Sequence, residues 1–469
     1  MQHPTPFLTR AIALSSLLGV LASAFISATR AQTAPTVSYT PEAGARQLLF
    51  VNNPEKLELS YTDRYTYVNN GVTTPSATQG VTFNDLADPG KGQKAIFQAT
   101  LPPGSYRDIF EHVFVGTADY VPPQGGNTLP AAAPANYAVQ IYNPNAAPIT
   151  VALVGKSLRT GFLGGQPLAD VLNAEQGGSA PVTYTLPAYR VVWLLRSDVD
   201  YAGTRPINQG SFFSGVIDFD VSGGSCVVTN IAYQNLRALT RWTDMGFIPR
   251  CYASGAPESR VYKGLMAYPS QTASPGSVVA HLPFTVTSAT AKGELPVTYP
   301  QYVSDGSGNY APSATAAVSA TFWQTHNIPS RNASVAASDM YNLLMPGFGT
   351  VYALSPTPAP NTPLTAANIA NWGITYHDAL TITNNDTRPR TFALTLNNFS
   401  TSGSPIAYQN EAGTWKYTTL HGFVGSTAQA PFTYYSFTVP AGTTKTVDGY
   451  FILGSPGVGT IRHAVQVTN

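Results

Sequence analysis

Short strand-length segments separated by turn residues dominate this chain of 469 residues. Within each segment apolar and polar side chains alternate, and clusters of Gly, Pro and Asn separate one segment from the next. Such alternation places successive side chains on opposite faces of a β-strand. Clear examples are the segments 47–52, 191–195, 212–221, 278–286 and 434–439. Strands this short and closely spaced indicate an all-β sandwich or barrel.

Helical periodicity is confined to short stretches. Apolar residues recur at helical spacing in the segments 168–174, 231–242 and 334–344. The last of these stops before Met345 and Pro346, where a helix is expected to end. We therefore expect only a few short helices beside the strands.

One segment of the chain is repeated at a constant offset of 241 residues. The segment 137–153 reads YAVQIYNPNAAPITVAL, and 378–394 reads DALTITNNDTRPRTFAL. Asn143 aligns with Asn384, inside a turn between two strands. Asn and Pro favour such turns because Pro fixes φ and Asn hydrogen-bonds to its own backbone.

A second, shorter repeat follows in the same order. The segment 184–188 (YTLPA) resembles 437–441 (FTVPA) at an offset of 253, and an apolar strand follows each copy. Two ordered matches indicate an internal duplication. The alternative is that β-hairpins of similar composition resemble one another by chance.

The repeats predict two related tandem β-sandwich domains, immunoglobulin-like or jelly-roll-like, over residues 46–257 and 258–469. A Thr/Pro-rich lead, 32–45, precedes them. Each domain would have about 200 residues, a common domain size that can bury a full core.

The N-terminal segment 1–31 has the features of a secretory signal peptide. A lead that ends in Arg10 precedes the uncharged apolar run 11–28, and Ala31 ends a small-residue cleavage site. The alternative is an uncleaved anchor, since about 18 apolar residues can span a bilayer. We expect a secreted or cell-surface protein without a membrane span after cleavage.

The low charge of the chain excludes several classes of partner. It has 25 basic and 24 acidic side chains, or 10% charged residues, against about 25% in an average domain. Without a basic excess, nucleic acid is not an expected partner. Removal of residues 1–31 leaves 23 basic and 24 acidic side chains, a net charge of −1. Contacts must then depend on shape, aromatic rings and amides.

The two cysteines, Cys226 and Cys251, both lie in the exported part. An even number of cysteines in an oxidising compartment predicts a disulfide between them. Two buried free thiols are the alternative.

Candidate metal ligands are sparse. Asp198 and Asp200, followed by Gly203, resemble the start of a calcium loop, but the later acidic ligands of an EF-hand are missing. We expect no cofactor, with a loop calcium at this pair as the alternative. Asp218 and Asp220 also alternate on one strand, and we expect their face to be solvated.

The sequence carries no nucleophile motif. No G-x-S-x-G occurs and the histidines are isolated. A hydrolase assembled from residues distant in sequence stays open, because such sites are defined in space. These features favour a protein that is not an enzyme.

Two tryptophans are candidates for ligand contact. Trp323 and Trp415 flank turn-like segments, where an exposed ring could stack on a sugar. The alternative is that both rings pack in the cores of the sheets.

The hairpin segments NYAVQIYNPNAAPITVAL and NWGITYHDALTITNNDTRPRTFAL resemble parts of uncharacterised secreted bacterial proteins built from β-sandwich modules. This resemblance covers about a quarter of the chain and implies an exported bacterial surface protein. It brings no catalytic residues with it.

Together these features favour a structural or adhesive protein of the cell surface. We expect it to associate with copies of itself or with cell-surface components, in an extracellular layer, matrix or filament. The alternative function is carbohydrate binding or polysaccharide processing, with glycans as partners.

Overall fold

The fold is given by a computed structural model. It describes residues 38–41, 46–51, 56–57, 68–69, 72–73, 93–114, 136–161, 164–200, 211–233, 246–247, 263–265, 277–295, 299–304, 310–318, 323–324, 373, 375–398, 403–454 and 460–469. The signal peptide expected at 1–31 and the helix expected at 334–344 lie outside the described residues.

The described chain is mostly β-strand. The strands before the first helix are β1 Ser38–Pro41, β2 Gln47–Val51, β3 Lys56–Leu57, β4 Val68–Asn69, β5 Val72–Thr73, β6 Gln93–Leu101, β7 Gly104–Phe114, β8 Asn136–Tyr142 and β9 Ile149–Thr160. Those of the middle are β10 Val182–Leu186, β11 Val191–Arg196, β12 Ser211–Ser222, β13 Cys226–Tyr233, β14 Gly246–Phe247, β15 Lys263–Leu265, β16 Ser277–Val286, β17 Gly293–Leu295, β18 Tyr299–Ser304, β19 Tyr310–Val318 and β20 Trp323–Gln324. The last are β21 Thr375–Asn384, β22 Arg390–Asn398, β23 Ser404–Gln409, β24 Trp415–Leu420, β25 Phe423–Val424, β26 Thr427–Ala428, β27 Phe432–Val439, β28 Thr444–Leu453 and β29 Thr460–Val467. Two helices are described, α1 Gly165–Gln176 and α2 Ser197–Asp200. The prediction of an all-β fold with a few short helices is confirmed.

Four large sheets organise these strands. Sheet I has the order β10-β9-β12-β7-β2-β15, with β3 also on β7, and sheet II has the order β11-β8-β13-β6-β14. Sheet III has the order β1-β16-β21-β28-β23-β24, and sheet IV the order β17-β29-β22-β27, with β20 on β29. Sheets I and II share one apolar core and sheets III and IV contribute to another.

Sheet I also contributes to the second core through its other face. Leu48, Ile109 and Val216 of sheet I belong to the same buried cluster as the side chains between sheets III and IV. Helix α1 lies in this contact, with its buried Leu168 and Val171 in that cluster. The approach is close, because a Cβ on Gly165 would lie only 2.3 Å from the carbonyl oxygen of Ile406 in β23.

Two strands pair with a sheet of a different domain from the one predicted for their segment of the chain. β1 comes from the predicted lead and pairs antiparallel with β16 of sheet III. β15 follows the predicted boundary at 257 and 258, yet it pairs with β2 of sheet I. The sheets therefore exchange strands near both ends of the first predicted domain.

The expected helices have different outcomes. The segment 168–174 lies within α1, as predicted. The expectation for 231–242 is wrong at its start, because residues 231–233 belong to β13 and the rest lies outside the described ranges. Every residue of β13 is buried, so its apolar run lacks the alternation that identifies a half-exposed strand.

The repeated segments form equivalent strand–turn–strand connections between two sheets. In the first copy, β8 of sheet II continues into β9 of sheet I; in the second, β21 of sheet III continues into β22 of sheet IV. The two strands of each copy therefore do not pair with each other, as they would in the hairpin that the sequence suggested. The pairing of the second strand is also equivalent, since β9 pairs with β10 and β22 with β27. Each connection therefore links the two sheets that enclose a core.

Candidate functional site

Asp198 and Asp200, the candidate calcium ligands, are held by basic side chains. Asp198 forms an ion pair of 2.7 Å with Arg196 and accepts a hydrogen bond from the Tyr233 hydroxyl. The Asp200 carboxylate accepts a hydrogen bond of 2.7 Å from Lys156 Nζ. Although burial of Asp198 opposes it, the bonds from Arg196 and Tyr233 lower the pKa of this carboxyl. Within the described ranges no group of three His, Cys, Asp or Glu could hold a metal ion.

Trp415 is buried, which corrects the expectation that its ring is exposed. Its side chain is 5% exposed and belongs to the core beside α1. Asn173 of α1 binds the backbone of Trp415 at both its N–H and its C=O, each at 2.9 Å. A ring enclosed in this way cannot stack on a sugar from solvent. Trp323 lies in β20, whose backbone pairs with β29, and its side chain is outside the described structure.

Cys226 is buried at the start of β13 and forms no disulfide with another described residue. Burial raises the pKa of this thiol to about 12, so it is a poor nucleophile at neutral pH. Its predicted partner Cys251 lies outside the described residues, and the disulfide stays a prediction.

Asp218 is buried, which corrects the expectation of a solvated position for this residue, whereas the side chain of Asp220 is 41% exposed. The Arg107 guanidinium donates to both Asp218 carboxylate oxygens, at 2.9 and 2.6 Å. Arg46 bridges Asp220 at 2.6 Å and Glu175 of α1 at 2.8 Å. Helix α1 covers this face of sheet I at Asp218, where the buried carboxylate is paired with Arg107. The cluster fixes α1 on the sheet.

A second polar cluster lies in the core between sheets III and IV. The Tyr434 hydroxyl donates to Asp378 at 2.7 Å and lies 3.1 Å from His463 Nε2. His463 Nε2 is also 3.0 Å from the Asp378 carboxylate. All three side chains are at most 2% exposed. Their bonds join the two sheets, and no substrate can reach them from solvent.

A related set lies between sheets I and II. Asn230 donates to Asp108 at 2.9 Å, and His112 Nε2 lies 3.2 Å from the Tyr137 hydroxyl. Burial raises the pKa of Asp108 to about 7, partly opposed by the bond from Asn230. These four side chains are fully buried and, like those of the other core, they connect facing sheets.

The described surface contains a small cleft which, unlike the buried polar clusters, is accessible from solvent. It has a volume of about 180 Å³ and lies between the end of β22, the end of β24 and the β25–β26 hairpin. The polar residues along its lining are Asn397, Asn398, Thr418, Thr419, His421 and Gln429. Phe432 and Val424 supply apolar surface, and Val424 is 61% exposed.

Buried hydrogen bonds hold the walls of this cleft. The Asn398 amide donates to the Leu420 carbonyl at 3.1 Å and to the Ser404 hydroxyl at 3.2 Å, which joins β22 to β24 and β23. The Gln429 N–H donates to the Gly422 carbonyl at 2.9 Å and closes the loop that carries the hairpin. The cleft is therefore formed without a ligand.

None of the cleft residues was a candidate from the sequence. They come from three separate elements, and no spacing joins positions 397, 418 and 429. The only sequence signal was the abundance of Asn, Thr, Gln and Phe, which does not select a position.

No protein-family model matches the chain. No curated protein matches it either. Neither described helix has the length and apolar character needed to cross a bilayer.

Proposed function

We propose that the protein is an exported structural or adhesive component of an extracellular layer, matrix or filament. In this proposal its two tandem, related β-sandwich domains associate with further copies of the chain. The observation that carries the proposal is an exposed, uncharged strand, β10, at the edge of sheet I.

β10 has the properties of a strand that can accept another strand. Its sequence is VTYTL, without charge or proline, and Val182 is 54% exposed. Among the described strands, β10 pairs with β9 alone. Edge strands that avoid association usually carry charges, Pro or bulges, and β10 has none of them.

The equivalent strand in the other half shows which groups point outwards. In β27, Ser436 pairs with Ala393 of β22, and its N–H donates outwards to the Glu411 carboxylate at 2.9 Å. Thr183 of β10 occupies the same place opposite Ala152 of β9. Its N–H therefore also points away from the sheet, and no described residue accepts it. The edge of β27 is therefore covered by a glutamate, whereas no described residue covers the edge of β10 at Thr183.

A second copy of β10 fits this edge. Two such strands would pair antiparallel about a two-fold axis, which makes the contact self-complementary. Because the strand is neutral and the mature chain has a net charge of only −1, repulsion between copies is small. Exposed aromatic and β-branched side chains then meet across the strands.

Light scattering of the mature chain across a concentration series tests this proposal. We expect the mass to rise with concentration, and Thr185→Lys, which places charges across the new strand pair, to keep the chain monomeric. Thr438→Lys is the matched control, since Thr438 has the equivalent place on the blocked edge of β27. A wild-type chain that stays monomeric throughout, or equal effects of the two variants, contradicts the proposal.

A further inference from the structure

The cleft beside the β25–β26 hairpin offers free hydrogen-bonding groups. The side chains of Asn397, Thr418, Thr419 and His421 have no hydrogen-bond partner in the described part of the chain. Gln429 uses its Nε2 to donate to the Thr427 carbonyl at 3.0 Å, which leaves its carbonyl oxygen as an acceptor. Amides and hydroxyls both donate and accept, so the complementary ligand has groups that do the same. Hydroxyl groups meet that requirement.

The charge of the cleft lining limits the class of ligand that the cleft can bind. No Asp, Glu, Lys or Arg is among the cleft residues. A phosphate, carboxylate or metal ion would lose its hydration without a charged partner, which is costly. The ligand is therefore neutral. Hydrolysis of a glycosidic bond is not supported in this cleft, because it requires a pair of carboxyl groups.

Apolar surface lies next to the polar groups. Phe432 is half-buried and packs edge-on against Tyr408, with ring centroids 5.0 Å apart, so its position is fixed. Val424 reaches over the cleft from the hairpin. A ligand with an apolar face and a rim of hydroxyls matches this combination, and a sugar ring has both.

The size of the cleft limits the ligand to one ring. Pockets for drug-sized molecules have about 300–1,000 Å³, whereas this cleft has about 180 Å³. It can receive a chain end or a side branch, but it does not enclose an extended oligosaccharide.

From these observations we propose that the cleft binds a single neutral sugar residue. Asn397 and Thr418 bind its hydroxyl groups, and Phe432 packs on its apolar face. The walls are already joined by Asn398 and Gln429, so binding requires little rearrangement. This activity is independent of the self-association through β10, which lies in a different sheet.

The test begins with the mature full chain on an array of neutral and acidic glycans. Saturation-transfer NMR with free glucose, galactose, mannose and N-acetylglucosamine follows. We expect binding of at least one neutral glycan and its free sugar, weakened about tenfold by Thr418→Val, which removes one hydroxyl and keeps the shape. Thr446→Val is the matched control, because Thr446 is an exposed threonine on β28 of the same sheet, outside the cleft lining.

Circular dichroism and thermal unfolding show whether each variant is folded. Asn397→Ala provides a second cleft variant if Thr418→Val does not fold. Absence of binding to any neutral glycan, binding of acidic glycans alone, or equal affinity of the cleft and control variants overturns the proposal. Because NMR with a free sugar does not depend on assembly, its result is separate from the light-scattering test.

Discussion

Asn143 and Asn384, which are 241 residues apart, hold their turns with the same three hydrogen bonds. The Asn143 amide donates to the carbonyls of Ala147, Leu186 and Pro187, at 2.8, 3.0 and 3.0 Å. The Asn384 amide donates to those of Arg388, Val439 and Pro440, at 3.0, 3.0 and 3.1 Å. Both asparagines are fully buried. Each therefore connects its turn to the end of the later strand β10 or β27.

Replacement of either asparagine by alanine is expected to lower the free energy of unfolding by about 2 kcal/mol, because it leaves the buried carbonyl of Leu186 or Val439 without its donor. Urea denaturation measures the change. Asn410→Ala is the matched control: Asn410 also holds a turn, through the N–H of Thr414 at 3.0 Å, but that turn is more exposed. A loss for Asn143→Ala as small as that of the control would contradict this role.

The turn after each of these strands is also equivalent, yet it has a different residue at its strained position. Tyr189 has φ 58°, and Gly442, at the matching place, has φ 64°. A Cβ on Gly442 would meet no atom within 4 Å, so only the left-handed backbone opposes a side chain there.

Gly442→Ala is therefore expected to lower stability by about 1 kcal/mol. Tyr189→Ala provides the comparison. Tyrosine and alanine both carry a Cβ, so the strain of the left-handed backbone at position 189 does not change. We expect its thermal midpoint to stay close to that of the wild type. An equal fall for both variants would show that the exposed Tyr189 ring, rather than the backbone, determines the stability of the turn.

The fold class could be predicted because its signals are local. Alternation within a strand is visible in five residues, and Asn143 and Asn384 each bond within a turn whose sequence is repeated. The repeat therefore identified two positions with the same structural role. β13 was missed at Ile231 because both of its faces are buried.

Whether a given face of a sheet is covered by another element or exposed to solvent could not be predicted from such local signals. Alternation correctly places Asp218 and Asp220 on one face, but it does not show that α1 covers that face. The same helix covers Trp415. The cleft was missed for a related reason, since Asn397 and Thr418 meet only after β22 and β24 are brought together through Asn398.

Asp108 gives a prediction for the pH dependence of stability. Its pKa is raised to about 7 by burial, so between about pH 4 and 7 the folded chain keeps a proton that the unfolded chain has lost. This contribution is fully present below pH 4 and is lost as the pH rises to 7, by about 1.4 kcal/mol per unit.

Asp108→Asn removes this dependence and keeps an acceptor for the Asn230 amide. Its stability relative to the wild type is expected to increase by about 3 kcal/mol between pH 5 and 8. Urea denaturation at both values measures the difference. The same difference at pH 5 and pH 8 would mean that Asp108 titrates as it does in the unfolded chain.

The final prediction concerns the bond between Asn173 and Trp415. Asn173 occupies the outer edge of β24 as a neighbouring strand would, with one amide atom on the Trp415 N–H and the other on its C=O. Asn173→Ala leaves both backbone groups unpaired beside a buried ring, which is expected to lower the free energy of unfolding by about 2 kcal/mol. Hydrogen exchange should then show faster exchange of the Trp415 amide.

Asn173→Asp separates the two halves of this bond. An aspartate still accepts from the Trp415 N–H but repels the carbonyl oxygen, so we expect a loss of stability with the Trp415 amide still protected. The amide of Ala407, in β23 between β24 and β28, is the internal reference, since both variants leave its strand pairing intact. If Asn173→Ala leaves exchange at Trp415 unchanged, the edge of sheet III is closed by packing of α1 alone and not by this side chain.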